Sequence, residues 1–170
     1  QAEAIHDLKL GRNIKRSEYD HKTGRFTQSS IVKPKEFIVI SGLHPFYLPK
    51  LRKTIDLKIY LDTDEKLRRH WKIIRDTNKR GYSIEKILTQ IEDRVADTEK
   101  FISPQKKYAD LIINFYCLNE FTLGEESEEI ELGLKLTFNA NIHIEDMLAN
   151  LCCPYDWDYN DDLNSQFINL

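Results

Sequence analysis

The sequence has few glycines and lacks the glycine-rich pattern that commonly binds nucleotide phosphates. Six glycines occur in 170 residues, and none of them belongs to a G-x-x-x-x-G-K-[ST] run. A phosphate loop of that type is therefore excluded from these residues. Cysteine is also scarce: Cys117, Cys152 and Cys153 are odd in number and lack the spacing of zinc ligands, which predicts reduced thiols in or near the core.

A large net charge and long apolar runs are missing as well. The net charge of −3 at pH 7 and the isoelectric point near 6.0 argue against a nucleic-acid partner, because domains that bind nucleic acids are normally strongly basic. No apolar run approaches the ~18 residues that cross a bilayer, and residues 1–7 lack the apolar centre of a signal peptide. We therefore expect a soluble cytoplasmic protein with no membrane partner.

The clearest local signal is an apolar run that ends at a glycine turn. Residues 36–41 predict a buried parallel strand, and Gly42 begins a turn that presents His44 and Tyr47. Open α/β sheets place their ligands at the carboxyl ends of such strands. The pattern thus indicates a ligand site beside His44.

Apolar periodicity predicts further strands and helices in alternation. A hairpin is expected at 19–24, strands at 56–62 and 110–115, and helices that begin near Asp62 or Thr63 and at Ser83. An acidic run at 125–129 marks a candidate boundary, and the residues beyond it follow a βαββ pattern. The sequence therefore predicts an α/β core over residues 1–118 and a small α+β appendage over residues 119–170.

The helix after the second strand is unusually rich in cations. Seven of them fall within fifteen residues: Lys66, Arg68, Arg69, Lys72, Arg75, Lys79 and Arg80. One interpretation is a solvated amphipathic helix with a buried apolar stripe. The other is that some of these cations bind a polyphosphate, for which the planar, permanently charged guanidinium is well suited.

Five segments, taken in order, resemble motifs of the phosphoribulokinase and uridine kinase family, and are nearer to its phosphoribulokinase branch. The resemblance covers about Asp7 to Tyr116. The segments are Ile14-Lys-Arg-Ser-Glu-Tyr-Asp-His-Lys-Thr-Gly24, Gly42-Leu-His-Pro-Phe-Tyr47, Asp56-Leu-Lys-Ile-Tyr-Leu-Asp62, Lys72-Ile-Ile-Arg-Asp-Thr-Asn-Lys-Arg-Gly81 and Ile102-Ser-Pro-Gln-Lys-Lys-Tyr-Ala-Asp110. The resemblance implies a P-loop-kinase-like parallel sheet with flanking helices. It also implies an enzyme that uses ATP and Mg²⁺ to phosphorylate a hydroxyl of a small sugar phosphate or nucleoside.

Site residues follow from the same resemblance. Tyr19 and His21 would help to hold the acceptor substrate, and His44 would lie beside it. Three residues near the end of the cationic helix would form the catalytic group and contact the transferred phosphate. These are Arg75, Asp76 and Arg80.

Two departures from the family keep a second hypothesis open. The family's phosphate loop, and the strand that precedes it, would lie before Gln1. We therefore expect this chain to be part of a longer polypeptide or to work beside an upstream domain. Without that strand the edges of its neighbours would be exposed, so we also expect self-association or a rearranged sheet. Ser41 stands where the family has an acidic residue, and its hydroxyl cannot supply a carboxylate's charge to a metal, which leaves Asp62 and Asp76 as nearby substitutes. The segment alone is expected to be inactive, and the alternative is a degenerate kinase-like domain that binds a ligand or regulates a partner.

Overall fold

The first of two compact units, Gln1–Asp56, contains two helices and four short strands among the residues that the structure describes. The computed structural model describes residues 2–20, 23–126 and 129–170. Helix α1 (Ala2–Lys9) buries Ile5 and Leu8 and is followed closely by Gly11, whose φ of 76° is the left-handed conformation that closes many helices. Helix α2 is a single turn, Pro49–Arg52, that begins at a proline with no amide hydrogen to satisfy.

The strands of this unit pair as two small antiparallel ladders. Strand β1 (Ile14–Arg16) pairs with β4 (Ser30–Val32), and β2 (Tyr19–Asp20) pairs with β3 (Arg25–Phe26). The predicted hairpin is thereby confirmed. Gly24 supplies the positive φ, 68°, that its turn requires.

The predicted strand at 36–41 does not form. Residues 37–41 have no regular secondary structure, and the side chains of Phe37 and Val39 are 82% and 91% exposed. An apolar run becomes a strand only when a neighbouring strand pairs with its backbone and covers its side chains. Within the described residues of this unit, no strand does so for residues 37–41.

The second unit, Leu57–Leu170, begins with a strand and a series of helices that lead to a parallel partner. Strand β5 (Ile59–Thr63) is followed by α3 (Glu65–Arg80), α4 (Ile84–Glu92) and the single turn α5 (Val95–Asp97). A π-helical turn (Thr98–Ile102) and a 3₁₀ helix (Ser103–Tyr108) then lead into β6 (Leu111–Cys117). Strand β6 runs parallel to β5, with Ile59 opposite Leu111.

The remaining strands extend the same sheet. Strand β7 (Leu132–Asn139), helix α6 (Glu145–Ala149), β8 (Asp156–Tyr159) and β9 (Ser165–Asn169) give the predicted βαββ order. The strand order is β5-β6-β7-β9-β8, in which β5-β6 is parallel and β6-β7, β7-β9 and β9-β8 are antiparallel. The proposed domain boundary at residue 118 stays a prediction, although β7, β9 and β8 belong to one sheet with β6.

The core of the second unit includes a cluster that β7 and β9 share with helix α6. This cluster consists of Phe138, Ile144, Leu148 and Ile168, with Leu136 and Met147 packed against them, and Leu67, Ile73, Ile87 and Phe121 are buried elsewhere in the unit. Helix α3 contacts β6 through the rings of Trp71 and Phe115, 6.3 Å apart. The unit is thus an α/β structure with flanking helices, as predicted.

In the described part of the chain, no helix is both long and apolar enough to cross a membrane.

Two of the three cysteines are not in the core. Cys152 and Cys153 are exposed, and Cys117 is half-buried on β6. Burial, followed by the nearby Asp64 carboxylate, raises the pKa of the Cys117 thiol. All three are free thiols, but the predicted core position is wrong for the adjacent pair.

Candidate functional site

Helix α3 has well-defined ends, and these fix the position of its cationic last turns. The carboxylate of Asp64 accepts a hydrogen bond from the amide of Lys66 at 2.9 Å, so the cap lies one or two residues beyond the predicted Asp62 or Thr63. The amide of Asp64 in turn donates to the carbonyl of Phe115 on β6. At the other end Gly81 adopts a φ of 64°, and its amide donates to the carbonyl of Thr77.

The buried stripe of α3 includes a carboxylate. Leu67, His70, Ile73 and Asp76 recur every three residues and are all buried. The side chain of Asp76 has no exposed area. A charged carboxylate in such a position requires ionic or hydrogen-bonding partners, because desolvation without them is very costly.

Three cations of the same helix surround Asp76. Lys72 Nζ lies 2.7 Å from Oδ2, Arg75 Nε donates to Oδ1 at 2.8 Å, and Arg80 Nη1 lies 3.3 Å from Oδ1. The two arginine side chains remain 52% and 49% exposed, whereas Lys72 is mostly covered. The cluster therefore holds two guanidinium groups near a common point while leaving part of each accessible to an anion.

These partners determine the ionisation of Asp76. The hydrogen bond from Arg75 lowers the pKa of the carboxyl group to about 2, helped by Lys72 and opposed by burial. Asp76 is therefore an anion at neutral pH. Its lone pairs face cations, so it is poorly suited to accept a proton from a substrate.

The first half of α3 uses its cations differently. Glu65 accepts hydrogen bonds from Arg68 and Arg69, and Arg69 also reaches Glu92 on α4 at 2.6 Å. Burial opposes ionisation of Glu65, but these two arginines outweigh it and lower the pKa of Glu65. Here the solvated-helix interpretation holds, because the cations neutralise neighbouring carboxylates.

The segment between β6 and β7 lies along α3, which the sequence did not predict. His70 Nδ1 accepts the amide hydrogen of Gly124 at 3.1 Å, and its ring packs edge-on against Phe121. Further along, Asn78 donates to the carboxylate of Glu126 at 2.9 and 3.0 Å. The signal available in the sequence was an isolated glycine after a strand, which indicates a backbone conformation that other residues rarely adopt. In the structure this residue, Gly124, has a φ of 86°.

The described residues do not form a metal site by themselves. They contain no group of three or more histidine, cysteine, aspartate or glutamate side chains arranged to hold a metal. Asp62, at the end of β5, instead forms an ion pair with Lys106 Nζ at 2.6 Å and accepts the amide of Thr63. Asp62 and Asp76 are therefore both already paired with cations. Neither is free to replace the acidic residue that the family has at the position of Ser41.

The predicted acceptor residues lie in the first unit. Tyr19 packs edge-on against Phe26 across the β2-β3 hairpin, with ring centroids 5.4 Å apart. His44 is exposed in a turn closed by the amide of Tyr47, and their rings lie 6.1 Å apart. His21 lies outside the described residues. The convergence of His44 with the arginines stays a prediction, because they belong to different units.

Comparison with known proteins agrees with this fold. The sequence model of the "Phosphoribulokinase / Uridine kinase family" matches residues 2–121. A solved structure, described as phosphoribulokinase from Rhodobacter spheroides, superposes with a TM-score of 0.70 at 17% identity, covering 98% of this chain and 63% of that one. The fold is thus of the P-loop kinase class.

Curated relatives are similar over a shorter part of their length. Chloroplastic phosphoribulokinase of Triticum aestivum is 40% identical over 140 residues, which are 82% of this chain and 34% of that protein. Phosphoribulokinase of Synechocystis sp. is 41% identical over 65% of this chain and 33% of its own length. A uridine kinase of Staphylococcus aureus (strain JH9) is 38% identical over 65% of this chain and 55% of its own length.

The chain belongs to the phosphoribulokinase and uridine kinase family. It spans about a third of the length of the phosphoribulokinases that it matches.

Proposed function

We propose that this chain is part of an ATP-dependent kinase that phosphorylates a hydroxyl of a small sugar phosphate or nucleoside. Family membership supports the reaction type, and the arrangement around Asp76 supports a phosphate-binding role for α3. Phosphoryl transfer depends mainly on positioning and on neutralising oxygen charge. The residues on α3 are suited to the second requirement.

The observation that carries the proposal is the pair of half-exposed guanidinium groups held by one buried carboxylate. Arg75 uses Nε for Asp76, so the proposed role leaves its terminal nitrogens for the anionic oxygens of the transferred group. Arg80 would contribute a second fork from one turn further along the helix. Asp76 would hold both in place without touching the reacting atoms.

The acceptor would be held by the first unit. Tyr19, His21 and His44 are the proposed contacts, on the basis of family resemblance. ATP would supply the phosphoryl group when bound. No step is assigned to Mg²⁺, because the described residues contain no group of three or more side chains arranged to hold a metal. A cytoplasmic location and self-association also remain proposals.

A degenerate, ligand-binding domain is the second candidate. Ser41 is exposed and neutral, and the 170 residues contain no G-x-x-x-x-G-K-[ST] loop. A domain of this kind would still bind a phosphorylated metabolite through the arginines of α3. It would do so without turning the ligand over.

Phosphate transfer from ATP tests the enzyme proposal. The full encoded polypeptide containing this chain is assayed against sugar phosphates and nucleosides, then repeated with Arg80→Ala and Ser41→Glu. We expect transfer to at least one acceptor, a loss of tenfold or more with Arg80→Ala, and a gain with Ser41→Glu. No transfer to any acceptor, with none gained at position 41, would refute it.

Calorimetry separates the second candidate. ATP and the same acceptors are titrated into the inactive polypeptide, and a sensor is expected to bind at least one without consuming it. Absence of heat with all of them would reject ligand binding too.

A further inference from the structure

Strand β8 forms one edge of the five-stranded sheet, and part of its backbone faces outward. Its inner side pairs with β9, and the amide of Asn160 donates to the carbonyl of Ser165 just beyond the strand. Hydrogen-bonded positions alternate along an antiparallel pair, so Asp156 and Asp158 point their backbone groups towards β9. Trp157 and Tyr159 therefore point theirs away from the sheet.

The side chains on one face of β8 continue the apolar core to this edge. Trp157 lies opposite Ile168 and Tyr159 lies opposite Gln166, both of which are buried. The indole of Trp157 donates to the side chain of Gln166 at 3.1 Å, which fixes the ring. Yet Trp157 and Tyr159 remain 41% and 42% exposed, so the core face ends in two half-covered aromatic rings.

The opposite face of β8 is acidic. Asp156 and Asp158 are exposed there, and Asp161 and Asp162 follow in the adjoining turn. Lysine and arginine are absent from residues 136–170, although six carboxylate side chains occur in that stretch. The preceding cation, Lys135, shares this face but lies over the ring of Phe167, 3.8 Å from its centroid.

We propose that β8 binds an extended segment of a partner protein in which apolar residues alternate with lysine or arginine. Such a segment adds a sixth strand to the sheet. Its apolar side chains cover Trp157 and Tyr159, and its cations lie opposite Asp156 and Asp158. Its backbone forms hydrogen bonds with the amide and the carbonyl of Trp157 and with the carbonyl of Tyr159. The amide of Tyr159 is not used, because it already donates to the Asp158 carboxylate.

A second copy of this chain is a poor occupant of the same edge. In an antiparallel pair of β8 strands centred on Trp157, Asp156 of one copy would lie opposite Asp158 of the other. Like charges directly opposite destabilise a strand pair. Charge complementarity therefore favours a basic partner strand.

The test uses a fluorescent eight-residue peptide that alternates valine and lysine. A peptide of the same composition with its lysines in one block is the charge control, and a valine-glutamate alternation is the opposite-charge control. We expect the alternating peptide to bind at least tenfold more tightly than either, as measured by fluorescence anisotropy at fixed salt. Hydrogen exchange at the Trp157 amide should slow when it binds.

A matched pair of variants locates the site. Asp156→Asn with Asp158→Asn removes two charges from the edge and keeps the oxygen that Tyr159 uses. Glu145→Gln with Asp146→Asn removes two from α6. The edge variant should weaken binding at least fivefold, and the α6 variant less than twofold.

Three results would overturn the proposal. Equal binding of the alternating and block peptides would indicate nonspecific charge attraction, and equal loss in the two variants would indicate the same. Concentration-dependent dimerisation that protects the Trp157 amide without peptide would show a second copy to be the occupant.

Discussion

His70 Nδ1 accepts a hydrogen bond from the backbone amide of Gly124 at 3.1 Å, joining residues 54 positions apart. The accepting nitrogen carries no proton, so the imidazole hydrogen resides on Nε2. Gly124 suits this contact because a Cβ there would lie 3.2 Å from Ile73 Cγ2, at a φ of 86°. The helix and the loop are thus fitted to each other at a single buried histidine.

Replacement of His70 should therefore destabilise the protein. His70→Ala removes the bond to Gly124 and the ring contact with Phe121, and we expect a loss of about 2 kcal/mol in the free energy of unfolding. Urea denaturation measures it. His143→Ala is the control, since that side chain is 95% exposed and should change stability by less than about 0.5 kcal/mol. Equal effects of the two substitutions would contradict the role of the contact.

Stability should fall in acid because of Asp76. Its folded pKa is about 2, against an unfolded value near 3.8. Above 3.8 the carboxylate is ionised in both states and its contribution is complete. As the pH falls from 3.8 through 2, the unfolded state binds the proton first, and about 2–3 kcal/mol is lost. Urea titrations between pH 5 and 2 measure the loss.

The Asp76→Asn variant should be less stable at pH 6 and should lose stability less steeply over the same acid range. Asp93→Asn, at an exposed position, is the control and should keep the wild-type slope. A wild-type slope in Asp76→Asn would show that other carboxylates govern acid unfolding.

Anion binding should depend on which cation of α3 is removed. Arg75→Ala and Arg80→Ala each take away a guanidinium held at Asp76, so we expect pyrophosphate to bind about tenfold more weakly, which corresponds to about 1.4 kcal/mol. Isothermal titration of the 170-residue chain measures it. Lys79→Ala removes the same charge one residue away, where no ion pair forms among the described residues, and should change affinity less than threefold. Equal losses in all three variants would indicate a general charge effect.

Gly81 should be required for the end of α3. Its φ of 64° strains any side chain even though no atom lies within 4 Å of a Cβ placed there. Gly81→Ala should therefore cost about 1 kcal/mol in unfolding free energy. Gly42 also has open space but no positive φ, so thermal unfolding should show little change for Gly42→Ala. An unchanged free energy of unfolding in Gly81→Ala would show that the end of α3 does not depend on the conformation of Gly81.

Much of the second unit was predictable because its signals are local. The end of α3 and the start of α4 follow from Gly81 and Ser83, each of which closes or satisfies a helix end through residues a few positions away, whereas the cap of α3 is Asp64 and not the predicted Asp62 or Thr63. The βαββ pattern of the residues beyond the acidic run also indicated β7, β8 and β9. Such signals do not depend on which distant segment lies beside them.

The candidate site was predictable only in part. Family resemblance selected Arg75, Asp76 and Arg80, and their spacing on one helix brings them together. The loss of a strand at 36–41 could not be read from its composition, since an apolar run is equally compatible with a paired strand and with an exposed segment. Pairing partners decide between the two, and they are set by the rest of the fold.

By itself the sequence determined the main helices α3 and α4, most of the strands and the membership of a kinase family, because periodicity, caps and ordered motifs are encoded in neighbouring residues. Only the tertiary structure decided that Asp76 is buried among three cations and that Gly124 meets His70. It also decided that Trp157 lies at an open sheet edge. Burial and strand order arise from contacts between residues far apart in the chain, and the free energy of these contacts is not written in any local pattern.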